Sequence, residues 1–334
     1  ERFDYDQLVS SAYASGIIDL TNDYSLLAGI RLENTNIKGS WLNESYDSFE
    51  NNYNNLLPNL TISKSFGVGK SIKLSLNNRI SRPSSRFVNP NTEYKDNKNL
   101  TIGNPDLTPS NTSQIELGYN SFGRKYQGSY FAYIKNSTDL IESILSIRND
   151  TTFTEYQNIG SVLIYGINYY GSLRFEKLTL RGGLNLYSYN AEDEDFARER
   201  RTAILYNYNF GITLKILNNW KFEGFGFMRS PNQTIQGSST SFGMMSFGIK
   251  KDFKNKRGSL GIKLIDPFLK NGNKVFSNEA RGDNFYQYSE SLVPFRSIGI
   301  SFNYTFGKLN FKTRSKSSKI RNDDVENDGD NNQF

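Results

Sequence analysis

Strict alternation of apolar and polar residues is the feature that most limits what this chain can become. From Tyr206 to Ile216 one face reads Tyr206, Tyr208, Phe210, Ile212, Leu214 and Ile216, and the other reads Asn207, Asn209, Gly211, Thr213 and Lys215. From Ile298 to Phe306 one face reads Ile298, Ile300, Phe302, Tyr304 and Phe306, and the other Gly299, Ser301, Asn303 and Thr305. A period of two belongs to a strand with one apolar face, and no helix satisfies it. The same pattern recurs over 7–17, 25–36, 57–66, 71–81, 114–119, 125–136, 160–173, 178–188, 221–228, 241–250 and 258–265, so about 13 strands are expected.

The connections alternate in length. Short ones lie near Asn22 and at 67–70, 121–125, 175–177, 217–219 and 252–257, and long ones at 38–55, 82–111, 136–158, 189–201, 229–240 and 266–294. Short, long, short, long is the sequence of an up-and-down antiparallel meander. In a membrane barrel the tight turns face the periplasm and the long loops face outside. Most alternating segments run roughly 8–14 residues, enough to cross a bilayer when tilted, whereas strands of soluble proteins average about 5–6. The polar face is rich in Gly and Asn, which suits a wet or plugged lumen. Tyr and Phe, 21 and 24 residues, suit a girdle at the bilayer interface. The expected fold is all-β, a transmembrane antiparallel up-and-down β-barrel spanning 1–308, followed by a disordered polar periplasmic tail over 309–334.

Composition then removes whole classes of function. With no Cys and no His among 334 residues, disulfides, thiolate nucleophiles, imidazole bases and the usual zinc ligands are excluded together. A mean hydropathy of −0.60 with 14% aromatic residues fits half-wet strands, and no apolar run is long enough for a membrane helix. The net charge of +6 is scattered, without a basic stripe, so nucleic acid is not an expected partner. The chain begins Glu1-Arg2-Phe3 and shows no signal peptide, as expected of a mature or truncated form. Glu192, Asp193, Glu194 and Asp195 offer hard oxygen ligands, but they lack the glycine turn of a calcium loop and read better as a solvated charged loop. No carboxylate pair is marked for glycosidase chemistry. No enzyme, cofactor or metal site is expected.

The stretch Thr101–Ser110, TIGNPDLTPS, carries the most specific motif. Asn104, Pro105, Leu107 and Pro109 resemble the Asn-Pro-x-Leu-x-Pro motif that precedes a barrel strand in TonB-dependent outer-membrane receptors. The preceding NRISRPSSRFVNPNTEY and the later YQNIGSVLIYGINYYGSL are similar to runs of that family, with Asn168 where the family usually has Glu. DPF at 266–268, RGDNFYQYSES at 281–291 and FNYTFGK at 302–308 resemble its closing strands, in the manner of the outer-membrane proteins of Bacteroidetes. The resemblance covers nearly all of the chain.

It implies an outer-membrane receptor importing a scarce nutrient. Its partners would be outer-membrane lipid, an upstream plug, an energy-coupling protein and a surface lipoprotein or other complex subunits. A complete receptor of this kind has 22 strands and a plug; no plug-like region or coupling box is visible here. An odd strand count with the first strand entering from outside points to the C-terminal part of a longer barrel. A miscounted strand would instead make a small closed one. The two prolines of the motif read as the terminator of a long outer loop, and alternatively as the edge of a ligand vestibule. Glu116, Arg181, Asn185, Asn207 and Lys215 are expected to face the lumen, solvating it or touching a substrate or plug. Phe306 at the end of the last strand is the expected assembly signal, ahead of Phe334. Other readings of the whole are a scaffold in an outer-membrane complex, a client of the assembly machinery, and a secreted adhesin-like β-protein.

Overall fold

The computed structural model describes residues 3–41, 48–193, 197–255, 257–282 and 284–307. The strands are β1 (Phe3–Asp19), β2 (Tyr24–Trp41), β3 (Phe49–Ser65), β4 (Lys70–Ser81), β5 (Glu93–Asp96), β6 (Asn99–Ile102), β7 (Ser110–Phe122), β8 (Tyr126–Arg148) and β9 (Thr151–Arg174). They continue with β10 (Leu178–Asp193), β11 (Ala197–Leu217), β12 (Trp220–Arg229), β13 (Gly237–Ser239), β14 (Phe242–Asp252), β15 (Gly258–Ile265), β16 (Asn273–Gly282), β17 (Phe285–Pro294) and β18 (Ser297–Tyr304). Among the described residues one short α-helix, α1, spans Ser85–Val88, and a 3-10 turn spans Lys270–Gly272.

Thirteen strands form a continuous antiparallel wall in the order β1-β2-β3-β4-β7-β8-β9-β10-β11-β12-β14-β15-β18. They coincide with the thirteen alternating segments. The other five lie in the long connections. β5 and β6 form a hairpin whose second strand pairs in parallel with β9, while β13, β16 and β17 make a separate three-stranded sheet. β1 and β18 are the two ends of the wall and run in the same direction across it.

The register shows why these sequences choose a wall with two unlike faces. On the outward face, Leu26, Ala28, Ile30 and Leu32 of β2 stand opposite Ile62, Leu60, Pro58 and Leu56 of β3. Leu74, Ile115, Ile134, Tyr165 and Leu186 continue this apolar face on the following strands, all at least partly exposed. A cytosolic protein could not tolerate so broad an exposed apolar surface, whereas hydrocarbon requires it. Pro58 sits just past the last β3–β4 pair, Asn59 with Asn77, where β4 no longer makes demands on its missing N–H.

The strands run well beyond the segments expected from hydrophobic alternation. The spans 38–55, 136–158 and 189–201, read from sequence as loops, are largely paired strand. Above Leu32 and Leu56 the outward positions become Asn34, Asn36, Asn52, Asn54 and Glu50. Asn34 Nδ2 donates to Asn52 Oδ1 and Asn54 Oδ1 at 2.8 and 2.9 Å, and Asn36 Nδ2 donates to Glu50 Oε1 at 2.7 Å. Apolar alternation stops where the apolar medium stops, but backbone pairing does not. At the tight-turn end the outward face carries aromatic rings instead. Lys64 Nζ lies 4.5 Å from the centre of Tyr24, Lys251 Nζ lies 5.0 Å from Trp220, and the ring of Tyr130 lies tilted against that of Tyr169, 4.9 Å between centres. These are interface anchors.

The inward face is held by long-range contacts from the folded loops. Arg82, fully buried, reaches from the loop after β4 to Glu33 of β2, Nη2 to Oε2 2.5 Å, and its Nε donates to Thr35 Oγ1 at 3.2 Å. Arg31 pairs with the other oxygen of Glu33. Phe87, Val88 and Leu107 of the same loop pack with Ile141 and Tyr156 of the wall, and the rings of Phe87 and Tyr156 stack at 4.3 Å. Further along, Gly166 leaves a gap beneath two tyrosines. A Cβ there would lie 2.7 Å from Tyr187 Cβ and 2.8 Å from Tyr133 Oη. Tyr133 Oη crosses this gap to donate to Asn185 Oδ1 at 3.0 Å.

Two outcomes follow from these contacts. Glu33→Ala takes the carboxylate away from the buried guanidinium of Arg82 and should lower stability by about 3–5 kcal/mol in denaturant titration of the refolded barrel, whereas the apolar double change Glu33→Leu with Arg82→Met should cost far less. Equal losses in both would show that the ion cluster is not what fixes the loop. Gly166→Val should destabilise by about 1–3 kcal/mol through overpacking. Gly211→Ala, where the nearest atoms lie 3.9 Å from the new Cβ, should be nearly silent in the same titration.

Candidate functional site: the loop-covered mouth

Two long connections return over the wall at the end opposite the tight turns. The first, 82–109, is the Arg82 loop. Within it Asn104 Oδ1 accepts the backbone N–H of Asp106 at 2.9 Å, a local turn that presents Leu107 to the buried cluster. Pro105 O accepts Asn51 Nδ2 at 2.5 Å. Asn158 grips the next residue twice, its Oδ1 accepting Thr108 N and its Nδ2 donating to Thr108 O, both 2.8 Å. Pro109 then leads directly into β7. Asn104, Pro105, Leu107 and Pro109 therefore sit where the loop is stitched to the inner wall, and Leu107 is one of its buried anchors, 1% exposed. At the tip of the β5–β6 hairpin, hydrogen bonds from Lys98 N and Asn99 hold the Asp96 carboxyl below its ordinary pKa.

The second connection, 230–241, reaches across to β8. Gln236 makes a two-point contact with the backbone of Leu145, accepting its N–H at 2.8 Å and donating to its carbonyl at 2.9 Å. Ile235 packs on Ile144 and Ile159, and its N–H donates to Glu142 Oε2 at 3.1 Å. Behind it, the β13–β16–β17 sheet is fastened at its base. Lys274 Nζ sits between the rings of Phe242 and Phe295, 4.6 and 4.0 Å from their centres, and 2.6 Å from Asp266 Oδ2. Asp266 Oδ1 in turn accepts Met245 N at 2.6 Å.

Under the second connection the inner wall is hollowed. A hollow of about 460 Å³ lies between Tyr187, Asn207, Phe227, Arg229 and Phe242 of the wall and Ser230–Asn232 of the loop. Asn232 is shared with a smaller polar hollow of about 160 Å³ lined by Glu142, Ser143, Thr154, Thr234 and Gln236. Aromatic walls with a few converging amides and one guanidinium are the make-up of a small-molecule site. Among the described residues there is no cluster of carboxylates fit for a metal ion.

The residues singled out in the sequence fall as follows. Asn185 and Asn207 are brought together: they are cross-strand partners, with Asn168 completing the row from β9. Glu116, on the inner face of β7 opposite Ser75 and Tyr133, accepts Gln114 Nε2 at 3.1 Å, apart from the hollow. Arg181 lies opposite Gly211 and Lys215 opposite Lys221, both toward the tight-turn end and away from the mouth. Phe306 follows β18, exposed, its ring 4.7 Å from that of Tyr304. The charged run is only partly within the described residues. Glu192 is exposed, and Glu194, Asp195, Phe334 and the 309–334 tail lie outside them. Sequence reading missed Arg229, Tyr187, Phe227 and Phe242, because inward aromatic residues look like outward ones until the register is known. The break of alternation at Arg229-Ser230-Pro231-Asn232 was the available signal.

Comparison with known proteins agrees with this architecture. No curated protein matches the chain by sequence. Among solved structures, it superposes on the copper transporter OprC with a TM-score of 0.67 at 14% identity, covering 91% of this chain and 48% of that one. It matches the FrpB iron transporter from Neisseria meningitidis with a TM-score of 0.62 at 14% identity, covering 91% and 45%. It matches the ferric yersiniabactin uptake receptor FyuA from Yersinia pestis with a TM-score of 0.64 at 13% identity, covering 91% and 46%. At such identities the likeness is one of fold, and the chain spans about half the length of these structures. The model of the outer membrane protein beta-barrel family matches residues 1–304, so the chain belongs to that family of outer-membrane β-barrels.

Proposed function

We propose that this chain is a wall section of a TonB-dependent-type importer that takes a scarce nutrient across the outer membrane. The observation that carries it is the mouth. Two loops are stitched inward by Arg82–Glu33 and Gln236–Leu145, and the second of them roofs a hollow lined with aromatic, amide and guanidinium groups. A purely structural barrel has no use for such a covered hollow. Support also comes from the transport described for the structures it resembles in fold. In this reading the ligand is captured at the mouth and released inward by rearrangement of an interior plug. Energy comes from a coupling protein in the periplasm, and no bond chemistry is performed on the ligand. A surface lipoprotein is a further partner of the same outer face, and the Bacteroidetes-type receptors are the branch its motifs resemble.

The wall must also be completed. An open sheet edge is not viable in hydrocarbon, because its N–H and C=O groups have no partner there. β1 and β18 run in the same direction, so antiparallel closure requires an odd number of strands between them. Two copies in the same membrane orientation would meet with parallel edges and cannot supply this. Nine further strands give the 22 of a full receptor. The Asn168–Asn185–Asn207 row, with Glu116, Arg181 and Lys215, then faces the lumen.

Uptake of the nutrient that supports growth is the test. Arg229→Ala combined with Asn207→Ala should reduce uptake by about tenfold or more through loss of polar contacts to the ligand, with the amount of protein in the outer membrane unchanged. Normal uptake in that variant, or in a strain lacking the chain, would favour a scaffold. Phe306→Ala should lower the fraction of chain inserted, read as heat-modifiable barrel on gels. Unchanged insertion would remove Phe306 as an assembly signal.

A further inference from the structure

The outward face of the wall is not evenly filled. Across β4 and β7 to β11 one pairing row reads Leu74, Leu117, Ala132, Ile167, Leu186 and Tyr206. The next row toward the mouth reads Leu76, Ile115, Ile134, Tyr165, Ser188 and Ile204. Ala132 and Ser188 are the small members of rows otherwise built from Leu, Ile and Tyr. Around them lies a hollow of about 580 Å³. Its outward side chains are aliphatic apart from Tyr165 and Ser188, and Gly166 stands at its back. The volume falls within the roughly 300–1,000 Å³ of ordinary ligand sites.

One step nearer the mouth the chemistry changes. That row reads Asn78, Ser113, Asn136, Leu163, Asn190 and Thr202, polar at every position but Leu163. Asn190 is held in place, its Nδ2 donating to Leu163 O and to Ser188 Oγ at 3.1 Å each. None of the three rows holds a charged side chain. Amides offer a donor and an acceptor side by side and suit hydroxyl groups, whereas anionic headgroups are read by Lys and Arg. On the tight-turn side of the hollow stand Tyr119, Tyr130 and Tyr169, successive ring centres 6.2 and 4.9 Å apart. The hollow therefore lies in hydrocarbon directly beneath the amide row. That is the outer leaflet when the tight turns face the periplasm.

We propose that the hollow and the amide row above it hold one glycolipid of the outer leaflet. An acyl chain lies over Ala132 and Ser188, and sugar hydroxyls meet Ser113, Asn136 and Asn190. The hollow opens on the lipid face of an outer-membrane barrel, so acyl chains surround it. The uncharged polar row selects among them for a hydroxylated headgroup. Amides alone do not make the site. Asn34 and Asn54 also stand above apolar residues, Leu32 and Leu56, but there the amides bond to each other.

The test uses the protein extracted from outer membranes and placed in nanodiscs of equimolar outer-membrane glycolipid and phosphatidylethanolamine. Native mass spectrometry then identifies the lipid each chain keeps. One glycolipid should be retained, at least about fivefold more often than phosphatidylethanolamine. Ala132→Phe fills the hollow and should cut glycolipid retention by about tenfold or more. Ser188→Leu narrows the hollow from its other row and should act in the same direction. Ala28→Phe adds the same ring to the outward face of β2, opposite Leu60 and away from the hollow, and should leave retention unchanged. Asn136→Ala with Asn190→Ala should erase the preference for glycolipid through loss of hydrogen bonds to the sugar. Equal retention of the two lipids, no retained lipid, equal losses in Ala132→Phe and Ala28→Phe, or a preference that survives the double Asn change would each overturn the proposal. Uptake is not among these readouts, so this proposal and the importer reading fail separately.

Discussion

Everything in this molecule depends on one requirement: a backbone inside hydrocarbon must satisfy its own hydrogen bonds. A β-wall does so only by pairing every strand on both sides. Pairing fixes the alternation of side chains, and alternation gives each strand one face for lipid and one for the interior. Leu26 to Leu32 and Leu56 to Ile62 meet on one side of the sheet. Glu33 and Thr35, a residue or three further along β2, are buried on the other. The same requirement makes the wall ends at β1 and β18 the points where, on the proposed reading, further strands join.

The inner face is where specific chemistry accumulates. Water and protein compete for it, so polar residues are admitted and can be arranged. At the mouth the arrangement is stapled shut by a few strong contacts: Arg82 on Glu33, Lys274 among Asp266, Phe242 and Phe295, and Gln236 on Leu145. The first and last tie a loop to a strand that is distant in sequence, and each of the three buries a charge or amide that would be costly to leave unpaired. At the opposite end Lys215, Lys221 and Lys250 stand in one row across β11, β12 and β14, with Asp252 beside Lys221. Local rules tend to be broken where function requires it.

Much of the fold was legible in the sequence because its period is two and its medium is apolar. Tyr206–Ile216 and Ile298–Phe306 declare both strand and outward face, and all thirteen wall strands could be found this way. What could not be read is instructive. Residues 38–55 and 136–158 look like loops because hydrophobic alternation ends at the membrane surface, yet Asn34, Asn52 and Asn54 continue the ladder above it. The hairpin β16–β17 was hidden within an expected loop for the same reason. The mouth was less legible still. Asn207 can be picked out as inward, but its neighbours Tyr187, Arg229 and Phe242 are set by register across four strands and by the return of the 230–241 loop, which no local pattern encodes. Leu107 was part of a recognisable motif, whereas its burial under the mouth depends on Ile141 and Tyr156, far along the chain.

The central claim is that one face of this sheet meets lipid and the other a water-filled interior. Single-cysteine labelling along β11 in intact outer membranes tests it most directly, since the chain has no cysteine of its own. With a water-soluble maleimide, positions 207, 209, 211, 213 and 215 should react, and positions 206, 208, 210, 212 and 214 should be protected by hydrocarbon. A period-two pattern with those phases supports the account. Equal labelling of both sets, or protection with the opposite phase, contradicts it.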